Sequence, residues 1–243
     1  VKSRSGVTLL ELLVAVSLLT LLTAGVLAAL RLGINAMAKT GARLADNRRV
    51  AATQHILEQQ VAGLIPILAE CSPQPGQPPV RFPFFQGEPQ TMRFVSAFSL
   101  GEAWRGYPRI LEFQVIPGSP GQGLRLVVNE RLYTGAASAG ASCLGMAPAP
   151  EIGLPAPRFA PVEIGPYSFV LADRLALCRF AYKEELPPPT AERWVARWVR
   201  PQWPAAIRIE MAPVEGSQVR LQPLTLVAPV RITRLAAELY GDE

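Results

Sequence analysis

Ser5-Gly6-Val7-Thr8-Leu9-Leu10-Glu11 runs directly into an uncharged apolar stretch, Leu12 to Leu30. That stretch is about the length a helix needs to cross a bilayer core. Its polar members, Ser17, Thr20 and Thr23, carry hydroxyls that can bond back to helix carbonyls. Glu11 places one carboxylate inside an otherwise clean span. An ionisable group in a membrane helix costs about a few kcal/mol and as a rule has a partner or a function. The alternative is a solvated carboxylate at headgroup depth, because Glu11 lies near the start of the run. Lys2 and Arg4 precede the run and favour a cytoplasmic N-terminus, although Arg31, Lys39 and Arg43 follow its far end. A secretory signal peptide would have a shorter apolar core with its small-residue cut site after that core. Here Gly6 lies before a longer core, and Ala24-Gly25 and Ala28-Ala29 only mimic such a site. A plain signal anchor accounts for the hydrophobicity but not for Glu11.

A basic leader, Gly6, Glu11 five residues later and an apolar helix together resemble the N-terminus of the type IV pilin superfamily. The matching residues are Gly6, Thr8, Leu9 and Glu11; Val7 stands where that family most often has Phe. The resemblance implies cleavage between Gly6 and Val7 by a prepilin peptidase and methyltransferase, with N-methylation of Val7. It also implies that Glu11, as the fifth mature residue, approaches the amine of a neighbouring subunit and sets the register of assembly.

The chain has 243 residues, enough for one core outside the membrane. Its formal net charge of +5 falls to +3 once Lys2 and Arg4 are subtracted. No run of Lys and Arg forms a tail, so charge does not support nucleic-acid binding, and no nucleic-acid partner is expected. Proline reaches 24 residues, about twice the usual share; the clusters read as loops in a β-rich domain. Of Cys71, Cys143 and Cys178, the first two have loop-like flanks and form the expected disulfide, with no pairing as the alternative. Cys178 lies in a strand pattern, Leu177-Cys178-Arg179-Phe180, and reads as a buried free thiol.

Residues 31 to 65 lack Pro and are rich in Ala, Leu, Arg and Gln, which are good helix formers. Val50, Leu57, Val61 and Leu64 share one face. Pro66 disfavours helical geometry at Ile65. One helix is therefore expected from Val7 to Ile65, on the order of 85–90 Å long. Residues 72 to 79 read as a loop. Strands follow at 92–98, 109–116 and 124–133, with a hairpin connection at 117–123. Residues 135–161 read as a long surface loop and Ala172-Asp173-Arg174 as a turn. A strand follows at 177–182, then the break Pro187-Pro188-Pro189, a strand at 205–211 and one or two more within 219–232. There Pro223 and Pro229 are confined to edges, ends or bulges. The fold class is α+β: a long N-terminal helix, membrane-spanning in its first half, packed on an antiparallel sheet. The expected divisions are a leader at 1–6, a transmembrane helix at 7–30, its continuation at 31–71 and a β-rich domain at 72–243.

The order of phrases narrows the resemblance. Arg93-Phe94-Val95-Ser96, Leu124-Arg125-Leu126-Val127, Phe180-Ala181-Tyr182, then Trp194, Trp198 and Trp203-Pro204-Ala205-Ala206-Ile207-Arg208-Ile209 are similar in sequence order to minor pseudopilin J of the type II secretion system. This implies a structural subunit of the pseudopilus tip. It also implies a single-pass location in the inner membrane, with the N-terminus cytoplasmic and the bulk periplasmic. The implied partners are the I, K and H types and the major pseudopilin. A minor type IV pilin for pilus assembly or DNA uptake is the alternative. The three tryptophans divide between core and interface, and Phe82, Phe84 and Phe85 read as core. The single histidine, His55, lies on the helix without a second ligand. The cysteines lack CxxC spacing, and Asp46, Asp173 and Asp242 are isolated. Gly118, Gly121 and Gly123 precede no helix, so they make no dinucleotide fingerprint. Glu184-Glu185 reads as solvated. No catalytic residue, metal or cofactor is expected, and an enzyme would instead need a pocket with converging polar groups.

Overall fold

The computed structural model describes residues 8–74, 76–101, 105–166, 168–185, 192–214 and 223–232, with the side chains of 38–50 and 105 left aside. The chain separates into two compact units, 1–48 and 49–243. Its elements are α1 (Leu9–Ala62), β1 (Leu64–Ile65), β2 (Leu68–Cys71), β3 (Val80–Pro83), β4 (Gln86–Gly87), β5 (Thr91–Phe98) and β6 (Arg105–Pro117). They continue with β7 (Leu124–Leu132), α2 (Ala136–Gly140), β8 (Cys143–Ala149), β9 (Leu154–Phe159) and β10 (Phe169–Glu184). The last three are β11 (Arg193–Val195), β12 (Ala206–Pro213) and β13 (Leu224–Pro229). This is the expected α+β class, a long helix followed by a large antiparallel sheet.

Within the first unit, Leu9–Met37 is long and apolar enough to cross a membrane, and none of it is buried. In the second unit α1 is two-faced. Thr53, Leu57, Gln60 and Val61 are buried, while His55 and Gln59 are exposed. Leu57 and Val61 enter one cluster with Phe94, Phe113 and Val128 of the sheet. The Thr53 hydroxyl donates to the Leu171 carbonyl at 2.5 Å, and the Ser96 hydroxyl to the Gln60 carbonyl at 3.2 Å.

The main sheet runs β1-β5-β6-β7-β10-β12-β13, with β4 on β5 and β11 on β10. Alternation sorts its faces. Met92, Phe94, Leu111, Phe113 and Val115 belong to the cluster beneath α1, whereas Val95 and Ile110 join Phe82, Phe84 and Cys71 in a second cluster. The far half of β10 leaves β7 and returns toward β4. The Phe180 N–H donates to the Pro89 carbonyl at 2.8 Å, the Trp198 N–H to the Gly87 carbonyl at 2.7 Å, and the Tyr182 hydroxyl to the Glu88 carbonyl at 2.9 Å. The sheet is thereby curled until β4, beside β5, meets β10 and the segment that follows β11. Gly87 lies at the seam, where a Cβ would come within 2.7 Å of Tyr182 and 2.8 Å of Trp198. No larger residue fits that approach.

The structure departs from the expected elements in four places. The helix stops at Ala62 and not at Ile65, so residues 31–71 are not helical throughout. Leu64–Ile65 and Leu68–Cys71 are strands, because Pro66 enforces extended geometry and β1 finds a partner in Val95 and Ser96. The β-rich part therefore begins before residue 72. Residues 135–161 are not a loop. They form α2 and the hairpin β8–β9, whose Gly and Pro content hides the strand pattern. Gly140 packs where a Cβ would lie 1.7 Å from the Glu70 carbonyl oxygen. Ala172-Asp173-Arg174 is not a turn before a strand; it lies inside β10, where the register on β7 shifts twice and Arg174 takes φ 54. Within 219–232 the described strand is β13. Pro187-Pro188-Pro189 and residues 215–222 lie outside the described residues.

A disulfide joins Cys71 to Cys143, with Cα atoms 5.8 Å apart, and Cys178 is a buried free thiol.

Candidate assembly site at the start of the apolar helix

Thr8 and Glu11 form a reciprocal cap. The Glu11 N–H donates to the Thr8 hydroxyl at 3.3 Å, and the Thr8 N–H donates to the Glu11 carboxylate at 3.4 Å. The Thr8 hydroxyl also donates to that carboxylate at 3.4 Å. This is a capping box, in which a side chain at each end satisfies a backbone donor of the other. The carboxylate also lies at the positive end of the helix dipole. Glu11 is therefore not without partners in its own chain, although no cation pairs with it among the described residues. The spacing Thr8-x-x-Glu11 carries this signal in the sequence. Gly6 and Val7 lie outside the described residues.

Beyond the cap, the hydroxyls turn inward on their own helix as expected. Ser17 donates to the Val14 carbonyl at 2.9 Å, Thr20 to Ser17 at 2.8 Å, and Thr23 to Leu19 at 2.9 Å. No donor of these side chains is left facing outward. The surrounding apolar side chains, from Leu9 to Met37, are all exposed.

The β-rich unit carries charge of another kind. Arg93 is 1% exposed. Its guanidinium meets Glu112 at 3.0 Å, Gln86 at 2.6 Å and the Ala160 carbonyl at 2.6 Å, and lies 5.7 Å from the centre of the Phe159 ring. Arg131 reaches the same Glu112 oxygen at 3.1 Å. Burial pushes the Arg93 guanidinium below its ordinary value and Glu112 pulls it back up. The network joins β4, β5, β6 and the end of β9, which is a structural role. Sequence alone hid it, because Arg93 and Glu112 meet only through the β5–β6 register. Glu184 is likewise buried and not solvated, held by Arg193 at 2.7 Å and Arg200 at 2.5 Å.

Trp198 is buried and its indole N–H donates to the Gln202 carbonyl at 2.6 Å. Trp203 packs against the core. Trp194 lies half-buried beneath the Arg208 guanidinium, 4.6 Å from the ring centre. Phe82, Phe84 and Phe85 are core residues. His55 is exposed. Burial pushes the Cys178 thiol up to about 12 and the Tyr182 phenol well above its usual range, so neither is an activated nucleophile. No cluster of three metal-ligating side chains exists among the described residues. The groove between β9 and residues 197–201 is lined by Phe85, Phe159 and Trp198, with Glu88, Arg197 and Arg200 as its charged members.

Residues 1–27 match the family described as the prokaryotic N-terminal methylation motif, the signal of type IV pilin-like precursors. That match covers 27 of 243 residues. No curated protein and no solved structure matches the chain. The motif and the exposed apolar helix indicate a membrane-anchored protein of pilin-like or pseudopilin type. The motif is a pilin-type structural motif.

Proposed function

We propose that this chain is a minor pseudopilin of the type II secretion system, of the J type. In this reading it is a structural subunit of the pseudopilus tip and supports protein export across the outer membrane. The observation that carries the proposal is the exposed stretch Leu9–Met37 with a carboxylate, Glu11, near its start. The order of phrases from Arg93 to Ile209 adds the J assignment. Prepilin peptidase cuts at Gly6–Val7 and the new amine of Val7 is methylated. The subunit then waits in the inner membrane, its N-terminus cytoplasmic and its β-rich unit periplasmic. On assembly with the I, K and H types and the major pseudopilin, the Glu11 carboxylate exchanges its local Thr8 bonds for the amine of a neighbouring subunit. A desolvated pair of this kind fixes register more than it adds net stability. The protein itself catalyses nothing.

The test has two arms. Gly6→Asp should retain the leader, read by N-terminal sequencing; a mature start at Val7 in that variant refutes the cleavage assignment. Glu11→Ala should insert in the membrane yet lose co-purification with the I, K and H types in detergent. Unchanged co-purification removes the registration role. Wild-type protein that ignores those partners and retards duplex DNA in a salt-dependent way would favour the DNA-uptake pilin instead.

A further inference from the structure

Several described strands, β1, β2, β4, β8 and β11 among them, have a side that no described strand pairs, and on three others, β3, β9 and β13, proline recurs along that side. In an antiparallel ladder alternate residues aim their N–H and C=O at the partner strand, and the residues between them aim outward. One observed bond per strand sets the parity. The Phe84 N–H donates to Ile67 at 3.0 Å, the Ala160 N–H to Ser142 at 2.8 Å and the Val230 N–H to Ala205 at 2.9 Å. With the registers Ala69↔Phe82, Ala147↔Ala156 and Ile207↔Ala228, the outward positions are the odd-numbered residues on all three strands.

Proline occupies those odd positions repeatedly: Pro79 and Pro83 at β3, Pro155 and Pro157 on β9, Pro223 and Pro229 at β13. Proline has no N–H to offer a ladder. The outer side of β3 is left with one donor, Arg81, between two prolines. That of β9 has none from 154 to 158. That of β13 has Thr225 and Val227, fenced at both ends. The high proline content is therefore not only loop material, since part of it lies where a neighbouring strand would need donors. Unpaired edges are templates for another chain, and a guest strand gains little from an edge without donors.

We infer that the β-rich unit is closed to strand addition on these three edges. Partners, a second copy included, do not extend its sheets at β3, β9 or β13. This holds whichever pilin-like protein the chain is. The experiment uses the full chain in detergent micelles. Pro155→Thr/Pro157→Thr returns two outward donors to β9, and Pro223→Thr/Pro229→Thr does the same for β13. Sedimentation equilibrium should show self-association rising by about tenfold or more in each double variant, the scale of one or two added hydrogen bonds. Pro120→Thr, in the exposed β6–β7 turn, should leave it unchanged. Double variants that associate no more than wild type overturn the inference. Amide exchange on the wild type gives a second readout that needs no variant. Thr225 and Val227 should exchange fast beside a protected Leu226, and equal protection of all three would show the β13 edge already paired and overturn the inference there.

Discussion

Leu9–Met37 and the stretch Thr53–Val61 belong to one helix, α1, yet they solve the burial problem in opposite ways. The first is apolar on every side and buries nothing. The second hides Thr53, Leu57, Gln60 and Val61 and leaves His55 and Gln59 outside. A helix that is hydrophobic all round needs an apolar surrounding, whereas a two-faced helix needs only a sheet. The sheet covers the second stretch, whereas none of the first is covered among the described residues. The β-rich unit is therefore self-sufficient, while the leading helix is complete only in lipid or among other helices.

The sharpest way to break the self-sufficient side is to strand its buried cation. Glu112→Ala leaves Arg93 without its carboxylate and should cost about 3–5 kcal/mol, read as a lowered urea midpoint for the full chain in detergent. A midpoint within error of wild type would mean that Gln86 and the Ala160 carbonyl suffice. The contrast within α1 is tested directly by truncating one leucine in each stretch. Leu57→Ala should cost about 2–5 kcal/mol in the same measurement, because Leu57 is fully buried. Leu18→Ala should leave the midpoint unchanged, because Leu18 is 58% exposed; equal losses would erase the distinction.

The smallest effect is expected from Cys178. In the unfolded chain the thiol ionises near pH 8.5, and in the fold burial holds it to about 12. Between those values the folded state keeps a proton that the unfolded state has lost, so stability is fully present below about pH 8.5 and falls as pH rises through this window. Cys178→Ala removes that slope, and its stability deficit relative to wild type should shrink between pH 7 and pH 10 in thermal unfolding. A constant deficit would contradict the burial of the thiol.

The sequence made the helix and most long strands legible, because their signals are local. Leu12–Leu30 carries no charge, and Ile207, Ile209 and Met211 alternate with Arg208 and Glu210. The hairpin β8–β9 was not legible, because its Gly145, Pro148, Pro155 and Pro157 speak for a loop unless their edge position is known. The curl that brings Gly87 against Trp198 depends on contacts between distant residues, as does the meeting of Arg93 with Glu112. At the candidate site, the carboxylate and its apolar context stood out. The Thr8 cap is equally local, but its Thr8-x-x-Glu11 spacing is overshadowed by the apolar run that starts beside it.

Cys71 and Cys143 stand 72 positions apart, and the solvent-facing β6–β7 turn at Ser119–Gly123 lies between them. A protease nick in that turn would leave both fragments covalently tied. They would migrate as one band on a gel until a reductant released them.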